Sequence, residues 1–436
     1  GRYPNASNSW RFLGFPTPGW GNCGAFLDEV DDTKFSDDHG FYEAPFTLSI
    51  TCPTDGSQIY YTLDGSEPNE SAGVLYTGPF EVNETTVVSA AAFKPGYLPT
   101  NVDVQTYLFL DDVVEQANLD PCVLTDYGTI AFKDGLKSIP TLSIVMDATD
   151  LENLQLQDSR DGPDDPYPKK ELSTSVELIY PDPNEGQGFQ INCGIEGHSW
   201  PLDKRSYKLI FKTDFGPSQL RYPFFESAVF HSDSAVEAFD RIVLRASKNM
   251  PSTYVGDQWT RDSQIAMSGA SARGIQVHLY LNGTYWGIYN PTERPDGWFT
   301  SSYFGGEKED YFATNHGYMR GESHISGDPD RFDTMTSMAL ARGLANAVNY
   351  DTFRGLCDVT NFADYTILFW FSGFGDNIDN NYYAGMRNVP LLGQVPPEGF
   401  MIFMWDAEVV FEEKCHPSGY EVPWVPDYYF TYTDCP

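Results

Sequence analysis

The 436-residue sequence has few basic residues: 27 Lys and Arg stand against 62 Asp and Glu, which gives a formal net charge of −35. Nucleic-acid binding needs clustered Lys and Arg to neutralise phosphates, so no nucleic-acid partner is expected. The same charge repels anionic ligands, so a phosphate site has to be locally cationic or loaded with a metal ion. The sequence also lacks a run of 18 apolar residues, and no membrane-spanning segment is predicted.

None of the seven cysteines lies in a C-x-x-C pair, which disfavours a zinc site and favours a few disulfides with one thiol left over. Cys415 and Cys435 bracket a Pro/Tyr-rich tail and are predicted to form one of these bridges. The chain begins at Gly1 without Met, as a processed product would. Glycosylation is predicted at the N-x-Ser/Thr sequons of Asn5, Asn69, Asn83 and Asn282. Together these features predict a secreted protein of the cell surface or matrix.

Hydrophobic residues make up 41% of the chain, which indicates a folded protein long enough for two or three domains. Five segments are predicted: an extended Gly/Pro/Asp-rich lead-in at 1–40, a β unit at 41–109, a linker with a short acidic helix at 110–138, a large domain at 139–414, and the tail at 415–436. The acidic stretch from Asp28 to Asp38 is interpreted as a solvated loop, with a Ca²⁺ loop as the alternative.

The β unit contains short alternating segments at 46–51 and 58–62, and a third at 87–93, separated by Asp-Gly and Pro-Gly turns. This spacing predicts a small antiparallel β-sandwich. The string Ile59-Tyr-Tyr-Thr-Leu-Asp-Gly-Ser-Glu-Pro68 resembles the Fn3-like module at the C-terminus of chitobiases and β-hexosaminidases. The resemblance implies an accessory, positioning role. Tyr60 and Tyr76 could contact a polysaccharide, or they could pack within the sandwich.

In the large domain, strand-like segments mix with helical ones without regular βαβ alternation, which predicts an α+β fold. Helices are predicted at 261–267, 331–348 and 362–371, the last with Asn361 and Asp364 as its N-terminal cap pair. A hairpin is predicted from two strands at 381–386 and 400–405.

Asp376 and Asn381 lie five residues apart before this predicted hairpin, and Asp406 follows it directly. Two acids and an amide brought together in this way could hold a divalent cation against phosphate oxygens. From the residues alone, an Asx-rich turn that ends a helix is the simpler interpretation. Both interpretations stay open at this point.

Several ordered strings across residues 139–412 resemble the CotH kinase family of secreted, atypical kinase-like proteins. The strings include Gly194-Ile-Glu-Gly-His-Ser199, Lys204-Arg-Ser-Tyr-Lys208, Arg241-Ile-Val-Leu-Arg245, Val277-His-Leu-Tyr-Leu-Asn-Gly-Thr-Tyr-Trp-Gly-Ile-Tyr289 and Trp405-Asp-Ala-Glu408. The resemblance implies an atypical kinase-like fold and the transfer of the γ-phosphoryl group of ATP to a protein hydroxyl, dependent on Mg²⁺ or Mn²⁺.

The resemblance also implies roles for individual residues. Asp376 would orient or deprotonate the acceptor hydroxyl, while Asn381 and Asp406 would hold the metal ion. The phosphates would meet cationic side chains, and a glycine-containing loop would approach the nucleotide. The implied cationic residues are Lys204, Arg205 and Lys208, with Arg245 as a further candidate, and the implied glycines are Gly194 and Gly197.

Two other functions stay open. The chain could be a non-catalytic surface, matrix or filament subunit of kinase ancestry whose partners are copies of itself, because a fold does not fix a function. It could also be a carbohydrate-binding surface protein, an interpretation that rests on its sandwich module.

Overall fold

The computed structural model describes residues 2, 10–13, 20, 22, 24–157, 170–198, 204–226, 235–247, 254–315, 324–327, 329–341, 343–374, 381–388, 399–408 and 410. The chain forms two compact units. The first comprises Gly1–Ser218 and Gln276–Tyr289, and the second comprises Gln219–Ile275 and Asn290–Pro436.

The described residues contain both strands and helices in each unit. The strands are β1 (Phe12–Leu13), β2 (Ala25–Phe26), β3 (Lys34–Phe35), β4 (Gly40–Phe41), β5 (Phe46–Leu48), β6 (Ile50–Thr51), β7 (Gln58–Thr62), β8 (Val74–Leu75), β9 (Phe80–Val82), β10 (Thr86–Phe93), β11 (Asp103–Leu108), β12 (Thr141–Val145), β13 (Leu172–Ile179), β14 (Phe189–Gly197), β15 (Tyr207–Ile210), β16 (Leu220–Arg221), β17 (Ala238–Phe239), β18 (Arg241–Arg245), β19 (Val277–Leu281), β20 (Thr284–Thr292), β21 (Tyr311–Asn315), β22 (His324–Ser326), β23 (Tyr382–Arg387) and β24 (Met401–Met404). The helices are α1 (Leu110–Val114), α2 (Pro121–Tyr127), α3 (Thr129–Leu136), α4 (Ala148–Leu156), α5 (Gly256–Ser268), α6 (Gly297–Phe304), α7 (Asp330–Leu340), α8 (Ala347–Arg354) and α9 (Val359–Phe371).

The first unit begins with the predicted β-sandwich. Its main sheet has the strand order β4-β11-β10-β7-β8, and the short pairs β5-β9 and β3-β6 accompany it. β10 is buried on both faces, which explains its continuous apolar run. Val88 on one face packs into the sandwich core, whereas Val87 on the other face packs with Val104 of β11 and with Val145 of β12 in the next sheet. The expected small β-sandwich is therefore confirmed.

The second sheet of this unit continues the same compact body. β12, β13, β14 and β15 pair antiparallel in that order, and β19 runs parallel to β12. All five residues of β12 are buried, as the apolar run of this segment predicts. Asn282 and Gly283 join β19 to β20 with φ values of +46° and +77°, the left-handed conformation that a tight hairpin turn requires.

The second unit contains a four-stranded sheet in the order β22-β21-β23-β24, together with helices α5 to α9. β23 and β24 pair antiparallel, with Tyr382 opposite Met404 and Gly385 opposite Met401. The expected hairpin is thus present, and helices α5 and α9 both contact β24. The mixture of sheet and helix confirms the α+β class.

Two helix predictions differ from the structure. The periodic segment at 331–348 is divided into α7 and α8, because Asn346 caps a new helix by accepting hydrogen bonds from the amides of Val348 and Asn349. The linker at 110–138 likewise contains three short helices, α1 to α3, instead of one.

The predicted cap of α9 is also wrong. Asp358 is its N-cap residue and accepts a hydrogen bond from the amide of Asn361 at 2.9 Å. The Asn361 side chain is buried and instead accepts a hydrogen bond from the amide of Ile402 in β24 at 2.7 Å. The Asn361 side chain therefore does not cap α9; it binds the backbone of β24, a strand distant in sequence.

Candidate functional site

The hairpin β23–β24 brings two of the predicted metal-binding residues to the same end of one sheet. Asn381 immediately precedes β23, and Asp406 lies two residues beyond the end of β24. Because Tyr382 pairs with Met404, the antiparallel register places Asn381 next to Trp405 and Asp406. Asn381 is 3% exposed, whereas the side chain of Asp406 is 37% exposed. One amide and one accessible carboxylate therefore share this end of the hairpin.

Asp406 has an uncommon backbone conformation. Its φ is +59°, in the left-handed region that costs a residue with a side chain on the order of 1 kcal/mol or more. Asp and Asn tolerate this region better than most residues. Neighbouring contacts hold the segment: the amide of Ala407 donates to Oδ1 of Asp257 at 3.0 Å, and the Trp405 ring packs edge-on against Tyr383. Such strain marks a position that its surroundings fix in place.

Arg245, the last residue of β18, joins three carboxylates at this site. Its Nε lies 2.9 Å from Oδ2 of Asp257, and its Nη2 lies 2.7 Å from Oε1 of Glu408. The same Nη2 also forms an ion pair with Oδ1 of Asp406. Its guanidinium carbon is 4.9 Å from the centre of the Trp405 ring, within the range of a cation–π contact. Arg245 therefore fixes both acids of the Asp406–Glu408 segment.

The electrostatics of this cluster follow from burial and opposite charge. Burial alone would lower the pKa of Arg245, but the charges of Asp257, Asp406 and Glu408 outweigh it and raise that pKa well above its ordinary value. Burial acts in the same sense against the charge of Asp257, yet Arg261 and Arg245 lower the pKa of this carboxyl below its usual value. Opposite charge therefore favours the ionised forms of Arg245 and Asp257.

Helix α5 contains a second arginine of the cluster and a glutamine that forms hydrogen bonds to the backbone of β24. Arg261 lies 3.5 Å from Oδ2 of Asp257 and donates to Oγ1 of Thr292 at 2.6 Å. Gln264, one turn further along, donates to the carbonyl of Ile402 at 2.7 Å and accepts from the amide of Met404 at 2.8 Å. Helix α5 therefore provides Asp257, the charge partner of Arg245, and fixes the position of β24, the strand that leads to Asp406.

Arg245 is buried and committed to carboxylates, a geometry that does not favour its suggested contact with phosphate. Asp257 was missed at the sequence level. It lies in the first turn of α5, where an acid is usually attributed to the helix dipole alone.

Glu293 forms a separate buried pair: it lies 3.7 Å from Arg273 and accepts a hydrogen bond from the Tyr303 hydroxyl at 2.6 Å.

Three of the predicted phosphate-binding residues, Lys204, Arg205 and Lys208, belong to the first unit and lie within or just before β15. Lys208 lies opposite Glu196 in the strand pair β14–β15 and forms an ion pair with it. Arg205 is fully buried and donates from Nη1 to the carbonyls of Leu154 and Gln155 at 3.0 and 2.7 Å. These are carbonyls of the last turn of α4, where a cation is favourable.

Lys204 of the same unit lies beside the middle of β20. Its ammonium donates to the carbonyl of Ile288 at 2.7 Å and lies 4.9 Å from the centre of the Tyr289 ring. A Cβ at Gly287 would lie 3.5 Å from Nζ of Lys204. The phosphate roles of Lys204, Arg205 and Lys208 stay predictions.

Gly194 and Gly197 lie within β14. A Cβ at Gly197 would lie 2.4 Å from Nη2 of Arg205, and one at Gly194 would lie 2.5 Å from the ring of Phe215. Close packing therefore accounts for both glycines, and their nucleotide role stays a prediction.

Other predicted residues divide between described and undescribed parts of the chain. Asp376, Asn5, Cys415 and Cys435 lie outside the described residues. Asn83 is exposed, Asn69 is half-buried, and the side-chain amide of Asn282 exchanges two hydrogen bonds with the backbone of Met146. The described Cys52, Cys122, Cys193 and Cys357 are free thiols.

Within the described ranges, no group of three or more His, Cys, Asp or Glu has the geometry to hold a metal ion by itself, and that includes the acidic stretch 28–38. Asn381 and Asp406 nevertheless provide the oxygen donors that Mg²⁺ and Mn²⁺ take when phosphate and water complete the shell. Metal binding by Asn381 and Asp406 stays a prediction. No helix among the described residues is long and apolar enough to cross a membrane.

Comparison with known families agrees with this architecture. No curated protein sequence matches the chain. Residues 38–104 match the chitobiase/β-hexosaminidase C-terminal domain, which corresponds to the β-sandwich. Residues 197–432, more than half of the 436-residue chain, match the CotH kinase protein family. The match includes the β23–β24 hairpin, Asn381 and Asp406. The chain therefore belongs to the CotH kinase protein family.

Proposed function

We propose that this protein is a secreted kinase that transfers the γ-phosphoryl group of ATP to a protein hydroxyl with the help of Mg²⁺ or Mn²⁺. Membership of a kinase protein family supports the proposal. The observation that carries it is the register of β23 and β24, which places the Asn381 amide and the Asp406 carboxylate at one end of the hairpin. Protein kinases hold their metal ions with an Asn and an Asp of this kind.

The roles of the residues follow from what phosphoryl transfer requires. The reaction needs alignment of the reactants and neutralisation of charge, with little covalent help from the protein. Asn381 and Asp406 would hold the divalent cation, which would supply neutralisation of the phosphate charge. Asp376 would orient the acceptor hydroxyl, and phosphate binding by Lys204 and Lys208 stays a prediction.

The accessibility of Asp406 is consistent with this role. Its partners in the cluster, Asp257 and Glu408, are 4% and 6% exposed at the side chain, whereas Asp406 is 37% exposed. Arg245 forms an ion pair with Oδ1 of Asp406. A carboxylate that is held on one side and accessible on the other is suited to coordinate a cation without moving.

The test is incorporation of the ATP γ-phosphate into protein by the purified full chain, with and without Mn²⁺. Asp406→Asn and Asp376→Asn are expected to lower incorporation at least 100-fold, and the exposed Asp55→Asn serves as the matched control. Circular dichroism verifies that each variant is folded. Incorporation by the folded Asp406→Asn variant at the wild-type rate, or its absence in the wild type with every acceptor tried, would argue against the proposal.

Secretion, glycans and the Cys415–Cys435 bridge are part of the same proposal. Of the sequons in the described residues, Asn83 is exposed and is expected to carry a glycan. Treatment of the secreted protein with an N-glycosidase should therefore lower its mass, and Asn83→Gln should remove part of that change. An unchanged mass after treatment would argue against glycosylation.

A further inference from the structure

Helix α9 has an apolar outer face. Two rows of residues at intervals of four lie on this side of the helix: Phe362, Thr366 and Trp370, and beside them Ala363, Ile367 and Phe371. None of the six is charged, and Ile367 and Phe371 are 58% and 73% exposed. The opposite side, which includes Leu368 and Phe369, is buried. A helix that is apolar on both sides is usually covered on both sides.

The apolar face continues onto α5, which packs against α9. The Trp259 ring of α5 stacks on the ring of Phe371, with 6.4 Å between the ring centres and 25° between the planes. Val255 lies one turn before Trp259 at the start of α5 and is 63% exposed. An apolar surface that extends over two helices usually marks a site of interaction.

The chain leaves the described part of the structure beside this helix. Ala407 and Val410 are fully buried and belong to one apolar cluster with Leu368 and Phe369 of α9. Val410 is the last described residue, and the tail at 411–436 lies outside the described residues. The tail is therefore attached next to α9, and a flexible attachment of this kind gives it an effective concentration on the order of millimolar at the helix surface.

The tail has the composition that an apolar face requires. Seven of its 26 residues are aromatic, whereas aromatic residues make up 15% of the whole chain. Six of these seven fall between Tyr420 and Tyr432, where Glu421 and Asp427 are the only charged residues. Helix α9 has 13 residues and is about 20 Å long, a distance that about six or seven extended residues span. The segment 420–432 is therefore long enough to cover it.

Two further observations favour this segment over other occupants. The match to the CotH kinase protein family extends to Tyr432 and so includes the whole aromatic segment, which indicates that the segment belongs to the domain. A second copy of the chain is a less suitable occupant, because each copy carries a net charge of −35 and like charges oppose association.

We propose that the segment 420–432 binds the apolar outer face of α9, with its aromatic rings against Ile367, Trp370 and Phe371. Tyr and Trp suit this position, since their rings can be buried while their polar atoms stay at the edge of the contact. The inference requires neither a metal ion nor a nucleotide, and so it goes beyond the proposed function and is independent of it.

Limited digestion of the full chain with chymotrypsin, which cleaves after aromatic residues, tests the proposal. Mass spectrometry follows the rate of cleavage within residues 428–432. The variants are Ile367→Asp, which places a charge on the outer face of α9, and Trp424→Asp, which places one in the tail. Val348→Asp is the matched control, because Val348 is 74% exposed on another helix, α8. Thermal melting verifies that each variant is folded, and Phe371→Ser replaces Ile367→Asp if the latter does not fold.

The wild type and Val348→Asp are expected to be cleaved slowly and at equal rates. Ile367→Asp and Trp424→Asp should each be cleaved at least tenfold faster, and the double variant no faster than either, because both changes break the same contact. Equal rates for all the variants would overturn the inference. Sedimentation velocity tests the alternative occupant: a wild-type dimer that Ile367→Asp converts into a monomer, without any change in the rate of cleavage, would assign the face to a second copy and overturn the inference as well.

Discussion

Nδ1 of His39 lies 2.8 Å from Oε1 of Glu177 and so links the β-sandwich to strand β13 within the first unit. The His39 side chain is 17% exposed, and that of Glu177 is fully buried. Glu177 also accepts hydrogen bonds from the amide and the hydroxyl of Thr106, whose hydroxyl lies 2.8 Å from that of Ser143. A buried polar network of this kind stabilises a contact only while every member is paired.

The pair makes stability depend on pH. Burial acts to lower the pKa of His39, but the hydrogen bond and charge of Glu177, together with Asp38, raise it above its ordinary value. A group whose pKa is raised in the folded state contributes its full stabilisation at pH values below its unfolded pKa, which is about 6.5 for His. This contribution is lost as pH rises through the folded-state pKa. We therefore expect the wild type to be stabilised over His39→Gln by about 1–2 kcal/mol at pH 6 and by less at pH 9.

Urea unfolding at the two pH values measures this difference. His278 is an internal control for the sign of the pH effect. Burial lowers the pKa of His278, although its Nε2 lies 2.9 Å from the carbonyl oxygen of Gly135. Its contribution has the opposite sign: it is present above the unfolded pKa and is lost on acidification. A stability difference for His39→Gln that stays constant from pH 6 to pH 9 would contradict the assignment.

Gly197 gives a second prediction, which separates packing from nucleotide binding. A Cβ at this position would lie 2.4 Å from Nη2 of Arg205, the buried side chain that holds the last turn of α4. Overpacking of this kind costs about 1–3 kcal/mol, so Gly197→Ala should lower the free energy of unfolding by that amount without any nucleotide present.

Chemical denaturation of the apo protein provides the measurement, and Gly135→Ala is the matched control. Gly135 lies inside α3 with no atom within 4 Å of its Cβ position, so alanine should stabilise the protein by about 0.5–1 kcal/mol. If Gly197→Ala kept wild-type stability but lost ATP affinity, the glycine would serve the nucleotide instead of the packing.

The sequence predicts the hairpin and the two residues at its end because both depend on local patterns. Short runs of aromatic and apolar residues define β23 and β24, and antiparallel register then brings Asn381 and Asp406 to the same end of the hairpin. The partner of Asp406 could not be predicted in the same way. Arg245 is 161 residues from Asp406 in sequence, and which of the 27 basic residues reaches it depends on how α5 and β18 pack. The break between α7 and α8 could not be predicted in this way, because the helical spacing of apolar residues continues past Asn346.

The conformation of Asp406 leads to a third prediction. At a φ of +59°, Asn is tolerated nearly as well as Asp, whereas Ala loses both this tolerance and the contact with Arg245. Asp406→Asn should therefore remain within about 1 kcal/mol of the wild type, and Asp406→Ala should be less stable than Asp406→Asn by a further 1–2 kcal/mol, approximately. Both should lose phosphate transfer. Thermal melting with an activity assay distinguishes the two effects, and equal stability of Asn and Ala would show that the backbone is not strained.

The buried charges around Arg245 provide the last prediction. Oδ2 of Asp257 lies 2.9 Å from Arg245 and 3.5 Å from Arg261, and all three side chains are almost fully buried. Removing one member of such a group leaves an uncompensated buried charge, so Asp257→Asn should cost about 3–5 kcal/mol of unfolding free energy. Asp351→Asn is the matched control, because its partner Arg354 lies 4.0 Å away and both side chains are exposed; a loss under about 1 kcal/mol is expected there. The double variant Asp257→Asn/Arg261→Met should cost less than the sum of its single variants, because it removes one charge of each sign. Additive costs in urea unfolding would mean that Asp257 and Arg261 do not interact.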